Sequence, residues 1–396
     1  MKLLQINSVV GKGSTGKIAE SIGKAAIQAG WESYIAYGRG KHPSSESGLI
    51  RIGTSIDVAF HGLQTRFLDR HGLASKNATQ RLISDIDRLS PDIIHLHNIH
   101  GYYLNYPLFF SFLKEWGGKV VWTLHDCWPF TGHCTFPDYT SCDKWETACY
   151  HCEQTNFYPI SNIRDRSCKN YRDKKFFFSK PLNQLILVPV SNWLADVAKR
   201  SYLSEAKSIV IHNGIDTTLF TPKDIIKKKL VLGVAHSMND FKGLSDFIKL
   251  RQILPDSFEI MLVGLTKKLI ESLPKGITGL ERTANQQQLV SLYSEASVFV
   301  NPTYGDNFPT TNLEALACGT PVATYRTGGS PEAIDSLTGR VVERGDVRAL
   351  GDAIVELMAI PPKKIAKDCR ERAVRLFDQR DRFAEYIDLY NSLLGN

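Results

Sequence analysis

No stretch of this sequence approaches the roughly 18 apolar residues needed to span a bilayer, which argues against a membrane-crossing helix. The opening run MKLLQINSVV carries Gln5 and Asn7 and has no small-residue cleavage site, so it reads as a first β-strand rather than a secretory leader. A cytoplasmic location is expected from that. Charge of one sign is also scarce. The net charge is +7 and no dense basic stripe occurs, which disfavours nucleic acid but suits nucleotide phosphates or a lipid headgroup surface. The loop Gly11-Lys12-Gly13-Ser14-Thr15-Gly16-Lys17 nearly spells a phosphate cradle, but Ile18 stands where a magnesium-binding hydroxyl belongs. A kinase or ATPase is therefore disfavoured, although a glycine-rich turn feeding a helix still lets backbone N–H groups approach a phosphate. Asp85-Ile86-Asp87 has the spacing of a metal-binding carboxylate pair, yet it falls in a predicted helix and is discounted.

What is present is alternation. Apolar runs at residues 3–7, 33–37, 93–97, 120–124, 185–188 and 208–211 are separated by helical patterns. The scheme repeats at 230–234, 260–263, 298–300, 322–323 and 339–342. Strands alternating with helices predict parallel sheets joined by right-handed crossovers. The expectation is an α/β protein of two doubly wound, Rossmann-like domains facing across a cleft: residues 1–221, with a cysteine-rich insertion at 127–168, and residues 222–376. The hinge is placed near Pro222, followed by the polar, basic stretch Lys223 to Lys229. Ligands of such sheets bind beyond the carboxyl ends of the strands.

Residues 301–324, NPTYGDNFPTTNLEALACGTPVAT, organise the second half. A polar turn leads into a helix from about Pro309 to Cys318, with Leu313, Leu316 and Ala317 on its apolar face and Gly319 as its stop. The helix start offers N–H groups and a positive dipole end to an anion. Asp306 in the turn and Glu314 in the helix are better suited to accepting hydrogen bonds from hydroxyls. The pattern predicts a phosphate beside a polyol.

Asp306-Asn307-Phe308-Pro309, Leu313-Glu314-Ala315-Leu316-Ala317, Gly319 and Pro321-Val322 resemble the donor-site signature of retaining glycosyltransferases of family 4, which have the GT-B fold. Asp306 replaces the Glu usual at the first acidic position. Ile211-His212-Asn213-Gly214-Ile215-Asp216 and Thr327-Gly328-Gly329-Ser330-Pro331-Glu332 also resemble family signatures, and Lys242-Gly243 matches its diphosphate-binding Lys-Gly. Where the family has an Arg, this chain has His236 or Ser237. The resemblance implies a nucleotide-sugar donor, such as a UDP- or GDP-sugar, and no catalytic metal. Lys242, the N–H groups near Thr310 and Thr311, the Asn307-Phe308 turn, and Gly13 and Gly16 would meet the donor. Glu314 would hold the ribose, Asp306 the sugar hydroxyls, and His125 would face the reacting sugar. The resemblance also implies a lipid-linked or oligosaccharide acceptor, a role in capsule or exopolysaccharide synthesis at the inner face of the cytoplasmic membrane, and a last helix (377–396) packed on the first domain. The alternatives are a sugar-nucleotide epimerase of similar fold and a zinc-dependent interaction module.

Two further stretches carry expectations. Cys127, Cys134, Cys142, Cys149 and Cys152 fall within 26 residues. A structural zinc on Cys134, Cys142, Cys149 and Cys152 is expected, tying together a loop unable to bury a core. In Asn170–Lys180, NYRDKKFFFSK, the phenylalanines are expected to join the core, with peripheral membrane contact as the other reading. His95 and His97, two apart on a strand, are expected as core or cleft-lining residues rather than metal ligands.

Overall fold

The protein's computed structural model describes residues 1–40, 44–180, 182–235 and 240–395. Strands β1 (Lys2–Asn7), β2 (Glu32–Tyr37), β3 (Gly48–Arg51), β4 (Ile93–Leu96), β5 (Lys119–Leu124), β6 (Leu185–Pro189) and β7 (Lys207–Ser208) form one sheet in the order β3-β2-β1-β4-β5-β6-β7. Every neighbouring pair is parallel. Strands β8 (Lys228–Val234), β9 (Glu259–Val263), β10 (Ile277–Leu280), β11 (Ala296–Asn301), β12 (Val322–Tyr325) and β13 (Gly339–Val342) form a second parallel sheet, ordered β10-β9-β8-β11-β12-β13. The chain accordingly divides into unit 1, Met1–His212 with Arg382–Asn396, and unit 2, Asn213–Asp381.

Both orders reverse direction once, between β1 and β4 in unit 1 and between β8 and β11 in unit 2. These are the switch points at which adjacent loops diverge and leave a crevice. The central strands are buried on both faces, as the apolar runs predict: Leu3, Leu4, Ile6, Ile93, Ile94 and Leu96 are all 0% exposed. The helix Gln379–Leu394 adds Phe383, Tyr386, Ile387 and Tyr390 to the core containing Leu3, Ile18, Ile93 and Val121. The helix Ser167–Phe178 buries Phe178 against Phe110 and Trp122, with ring centroids 4.4 and 5.2 Å apart, and leaves Phe176 exposed. Among the described residues no helix is long and apolar enough to cross a membrane.

Strands β3 and β10 are absent from the sequence reading. Both are four-residue edge strands containing a glycine, Gly48 and Gly279, and their partial exposure gives no continuous apolar run. Strand β7 is shorter than expected. Ile209 and Ile211 still donate to Leu187 and Pro189, but outside a regular ladder.

Candidate functional site

The switch point of unit 2 gathers most of the predicted residues. Lys242 ends a single helical turn after β8, and its Nζ lies 2.5 Å from Asp306 Oδ2 in the loop after β11. Both side chains are about one-fifth exposed. The two loops are tied together by backbone: Tyr304 N donates to Phe241 O at 2.8 Å, and Thr303 Oγ1 donates to the same carbonyl at 3.1 Å. Gly243 has φ +67°, and a Cβ there would come within 2.4 Å of Pro302 O. The Lys-Gly pair is thus explained locally, because only glycine lets the lysine turn pack this closely on the β11 loop.

The loop after β12 closes the third side. Gly328 has φ +52°, and a Cβ there would meet Asp306 O at 1.8 Å. Next to it the Thr327 hydroxyl is buried with no hydrogen-bond partner among the described residues, so this edge presents an unsatisfied polar atom beside the Asp306 turn. Gly328→Ala is expected to displace residues 306–307 and destabilise unit 2 by about 1–3 kcal/mol from left-handed strain and overpacking. Chemical denaturation monitored by circular dichroism checks this.

The site helix runs from Thr310 to Ala317, with Pro309 at the N-cap and no side-chain cap. The backbone N–H groups of Thr310 and Thr311 therefore open the helix at the end of the same loop, beside a half-buried Asp306. Asn213 Nδ2 donates to Phe308 O at 3.1 Å, and Asn312 bridges Asn301 (2.9 Å) and Ser330 Oγ (2.9 Å) across the first turn. At the far end Arg370 donates to Ala317 O, Phe220 O and Thr217 O at 2.7–3.0 Å, satisfying a carbonyl and complementing the dipole. Glu314, one turn in and half-buried, accepts from Tyr293 OH at 2.9 Å.

Sequence reasoning missed Asp246. Its carboxylate is 0% exposed and takes hydrogen bonds from Tyr304 OH (2.7 Å), Tyr325 OH (2.9 Å) and Lys249 (3.1 Å). It anchors the Tyr304 end of the site loop to the helix Leu244–Ile253. A lone Asp in an amphipathic helix looks solvated, so only the paired tyrosines at the two strand ends could have flagged it. His236 and Ser237 lie outside the described residues.

Gly13, Gly16 and His125 belong to unit 1. Gly13 opens the helix Gly13–Gln28 and is exposed. Gly16 is buried inside that helix, where a Cβ would stand 3.1 Å from Val9 Cγ2, so its bareness serves packing. His125 follows β5, half-buried, with burial lowering its pKa to about 4. His97 Nδ1 is 3.1 Å from His125 Nε2, and His95 lies between Thr123 Oγ1 and Tyr390 OH, each 2.7 Å away. His95 and His97 are thus hydrogen-bonded core residues.

The zinc expected on Cys134, Cys142, Cys149 and Cys152 gains no support. Among the described residues no group of three or more His, Cys, Asp or Glu is placed to hold a metal ion. Cys149 Sγ accepts from Gly132 N at 3.2 Å, and the thiol of Cys134 is hydrogen-bonded to Cys152, which with burial raises its pKa. Cys142 is half-buried near Lys144. His133 donates to Asp69 at 2.7 Å, and its charge interacts with the Cys152 thiol. Contrary to the expectation for this segment, residues 127–168 do bury a core: Trp128, Phe130 and Trp145 are 3% exposed or less. The fully buried Lys174 donates to Trp128 O and Thr131 O at 2.7 and 3.0 Å beneath them.

Residues 16–219 match the protein family described as Glycosyltransferase Family 4, and residues 229–359 the family described as Glycosyl transferases group 1. The chain is 25% identical over 425 aligned residues, covering 99% of itself and 100% of the relative, to a protein of Escherichia coli (strain K12) named as a colanic acid biosynthesis glycosyl transferase, WcaC. Among solved structures, sucrose-phosphate synthase from Thermosynechococcus elongatus matches with a TM-score of 0.74 at 18% identity over 100% of this chain and 99% of that one. Anabaena HepE in complex with UDP-glucose matches at 0.65 and 14% identity, over 98% of this chain and 99% of that one.

Proposed function

The chain belongs to Glycosyltransferase Family 4, and from that premise we propose that it moves a sugar from a UDP- or GDP-sugar to a lipid-linked or other saccharide acceptor, with retention of configuration, in cell-surface polysaccharide synthesis. It is a glycosyltransferase with the GT-B pair of parallel sheets. The observation that carries the donor assignment is the juxtaposition in unit 2 of the Lys242 ammonium, the uncapped start of helix Thr310–Ala317 and Glu314 on its next turn. WcaC's name supports the polysaccharide setting, and the HepE complex supports a uridine nucleotide. The setting at the inner face of the cytoplasmic membrane is part of the same proposal.

In this reading the departing diphosphate gathers charge as the glycosidic bond breaks. Lys242 exchanges Asp306 for the diphosphate, and the Thr310 and Thr311 N–H groups supply fixed donors to it. Asp306, released, accepts from sugar hydroxyls. Glu314 accepts from the ribose, sharing its carboxylate with Tyr293. His125 of unit 1 is the residue the family signature assigns to the reacting sugar.

Screening UDP-, GDP- and ADP-sugars by thermal shift tests the donor. A ligand at 100 times its Kd should add about 2.7 kcal/mol of stability. Proton NMR of the first-formed sugar during slow donor hydrolysis tests retention. No stabilisation by any nucleotide sugar would overturn the donor site, and an inverted anomer would overturn retention.

A further inference from the structure

We infer that Gln5 and His97 are positioning residues that lock His125 into one tautomer, with the proton on Nε2 and a lone pair on Nδ1. The inference rests on the reading of His125 as the residue that meets the reacting sugar, and it follows from counting protons along one buried chain of hydrogen bonds.

The chain starts at a group that cannot change its role. Ala19 O is a backbone carbonyl and only accepts, and the Gln5 amide nitrogen lies 2.8 Å from it. The Gln5 amide is therefore fixed with its oxygen turned the other way, 3.0 Å from His97 Nε2. An oxygen facing Nε2 requires a proton there. His97 is 1% exposed, and burial holds its pKa well below the ordinary value, so the ring is neutral and carries one proton. His97 Nδ1 is then bare. The next group along is His125 Nε2, 3.1 Å away, which must supply the hydrogen. His125 is neutral as well, so its single proton is spent in this bond and its Nδ1 is an acceptor.

The framework around the chain is rigid. Gln5 is on β1, His97 directly after β4 and His125 directly after β5, three adjacent strands. Trp122 Nε1 donates to His97 O at 3.1 Å and fixes that backbone. The His97 and His125 rings lie 5.4 Å apart and are near parallel, at 21°.

The consequence is chemical selectivity. An acceptor nitrogen takes a hydrogen bond from a sugar hydroxyl. It repels a phosphate oxygen, so His125 is specialised for the sugar and cannot donate to the leaving diphosphate through Nδ1. Glutamine and histidine at these positions otherwise look like core polar residues with no bearing on the reaction.

Long-range proton–nitrogen NMR on the full chain with ring-15N histidine tests the lock directly. Near pH 7.5 both His97 and His125 should show a protonated Nε2 and a bare Nδ1. A proton on His125 Nδ1 in the wild-type chain would overturn the inference, whatever any variant does. His97→Leu removes the acceptor and should mix the tautomers of His125. The turnover of donor hydrolysis should then fall about 10- to 100-fold with KM for the donor little changed. His97→Asn, whose Oδ1 stands about where Nδ1 does and can accept from His125, should restore the NMR signature of His125 and part of the rate. An unaltered His125 signature in His97→Leu would also overturn the lock. Full activity in His125→Ala alongside the expected wild-type signature would support the lock and remove the catalytic reading beneath it.

Discussion

Unit 1 is expected to unfold on acidification to about pH 5, while unit 2 keeps its structure. Ten of the eleven histidines lie within residues 1–212. Burial lowers the pKa of His61 to about 3 and of His125 to about 4, and holds His71, His95 and His97 well below the ordinary 6.5. The unfolded chain takes up these protons near pH 6.5 and the folded unit does not. The stability these five groups contribute is therefore present above 6.5 and lost as pH falls towards their folded values. At pH 5 His61 and His125 each cost about 2 kcal/mol, and His71, His95 and His97 act in the same direction, against the 5–15 kcal/mol typical of a whole domain. One group opposes them. Burial disfavours the charge on His133, but the hydrogen bond and charge of Asp69 outweigh it and raise its pKa, so His133 stabilises at low pH and loses that effect as pH rises through its folded value. It offsets one of the five at most. All six tryptophans are in unit 1, at 31, 116, 122, 128, 145 and 193, so their emission reports this unit alone. A red shift between pH 6.5 and 4.5 is expected. Emission unchanged down to pH 4.5 would show that the buried histidines accept protons in place.

The second large effect is on the reaction. Lys242→Ala is expected to lower kcat about 100- to 1,000-fold, the cost of losing one fixed donor to a developing oxyanion. The loss should fall on kcat rather than KM, because in the resting protein Lys242 is already engaged by Asp306, 2.5 Å away, and its gain comes as the diphosphate charge grows. Glu314→Gln should act in the opposite sense, raising KM for the donor, since a ribose contact is made equally before and during reaction. Tyr293→Phe removes only the partner at 2.9 Å and should leave Glu314 functional, with less than a tenfold effect. Steady-state kinetics on folded variants decides. Wild-type rates for both Lys242→Ala and Glu314→Gln would remove the donor site from this part of unit 2.

The helix Thr310–Ala317 was legible in the sequence because several signals agreed. Leu313, Leu316 and Ala317 share a face, Pro309 precedes it and Gly319 ends it. The outcome differs by only a residue at each end, with Pro309 outside the helix as its cap. The contact between Lys242 and Asp306, 64 positions apart, is invisible to periodicity and follows from the β8–β11 crossover. The core of the cysteine-rich segment was hidden for an energetic reason: Trp128, Phe130 and Trp145 are spread among polar, cysteine- and proline-rich residues, so no apolar run announces the surface they bury. Edge strands β3 and β10 escaped because a half-exposed strand needs no apolar run. Asp246 escaped because its partners, Tyr304 and Tyr325, are distant in the chain.

The helix Gln379–Leu394 sets an order of events during synthesis. Tyr390 and Tyr386 complete the buried network around His95 and Thr123, yet both are made after all of residues 213–381. At about 5–20 residues per second, the ribosome needs about 10–30 s to bridge that interval. Throughout it the β4–β5 floor of unit 1 lacks its lid of aromatic residues, and unit 2 has every residue it needs to fold first. The nascent N-terminal half thus waits for the last helix, and the hydroxyl partners of His95 and Thr123 arrive only with Tyr386 and Tyr390.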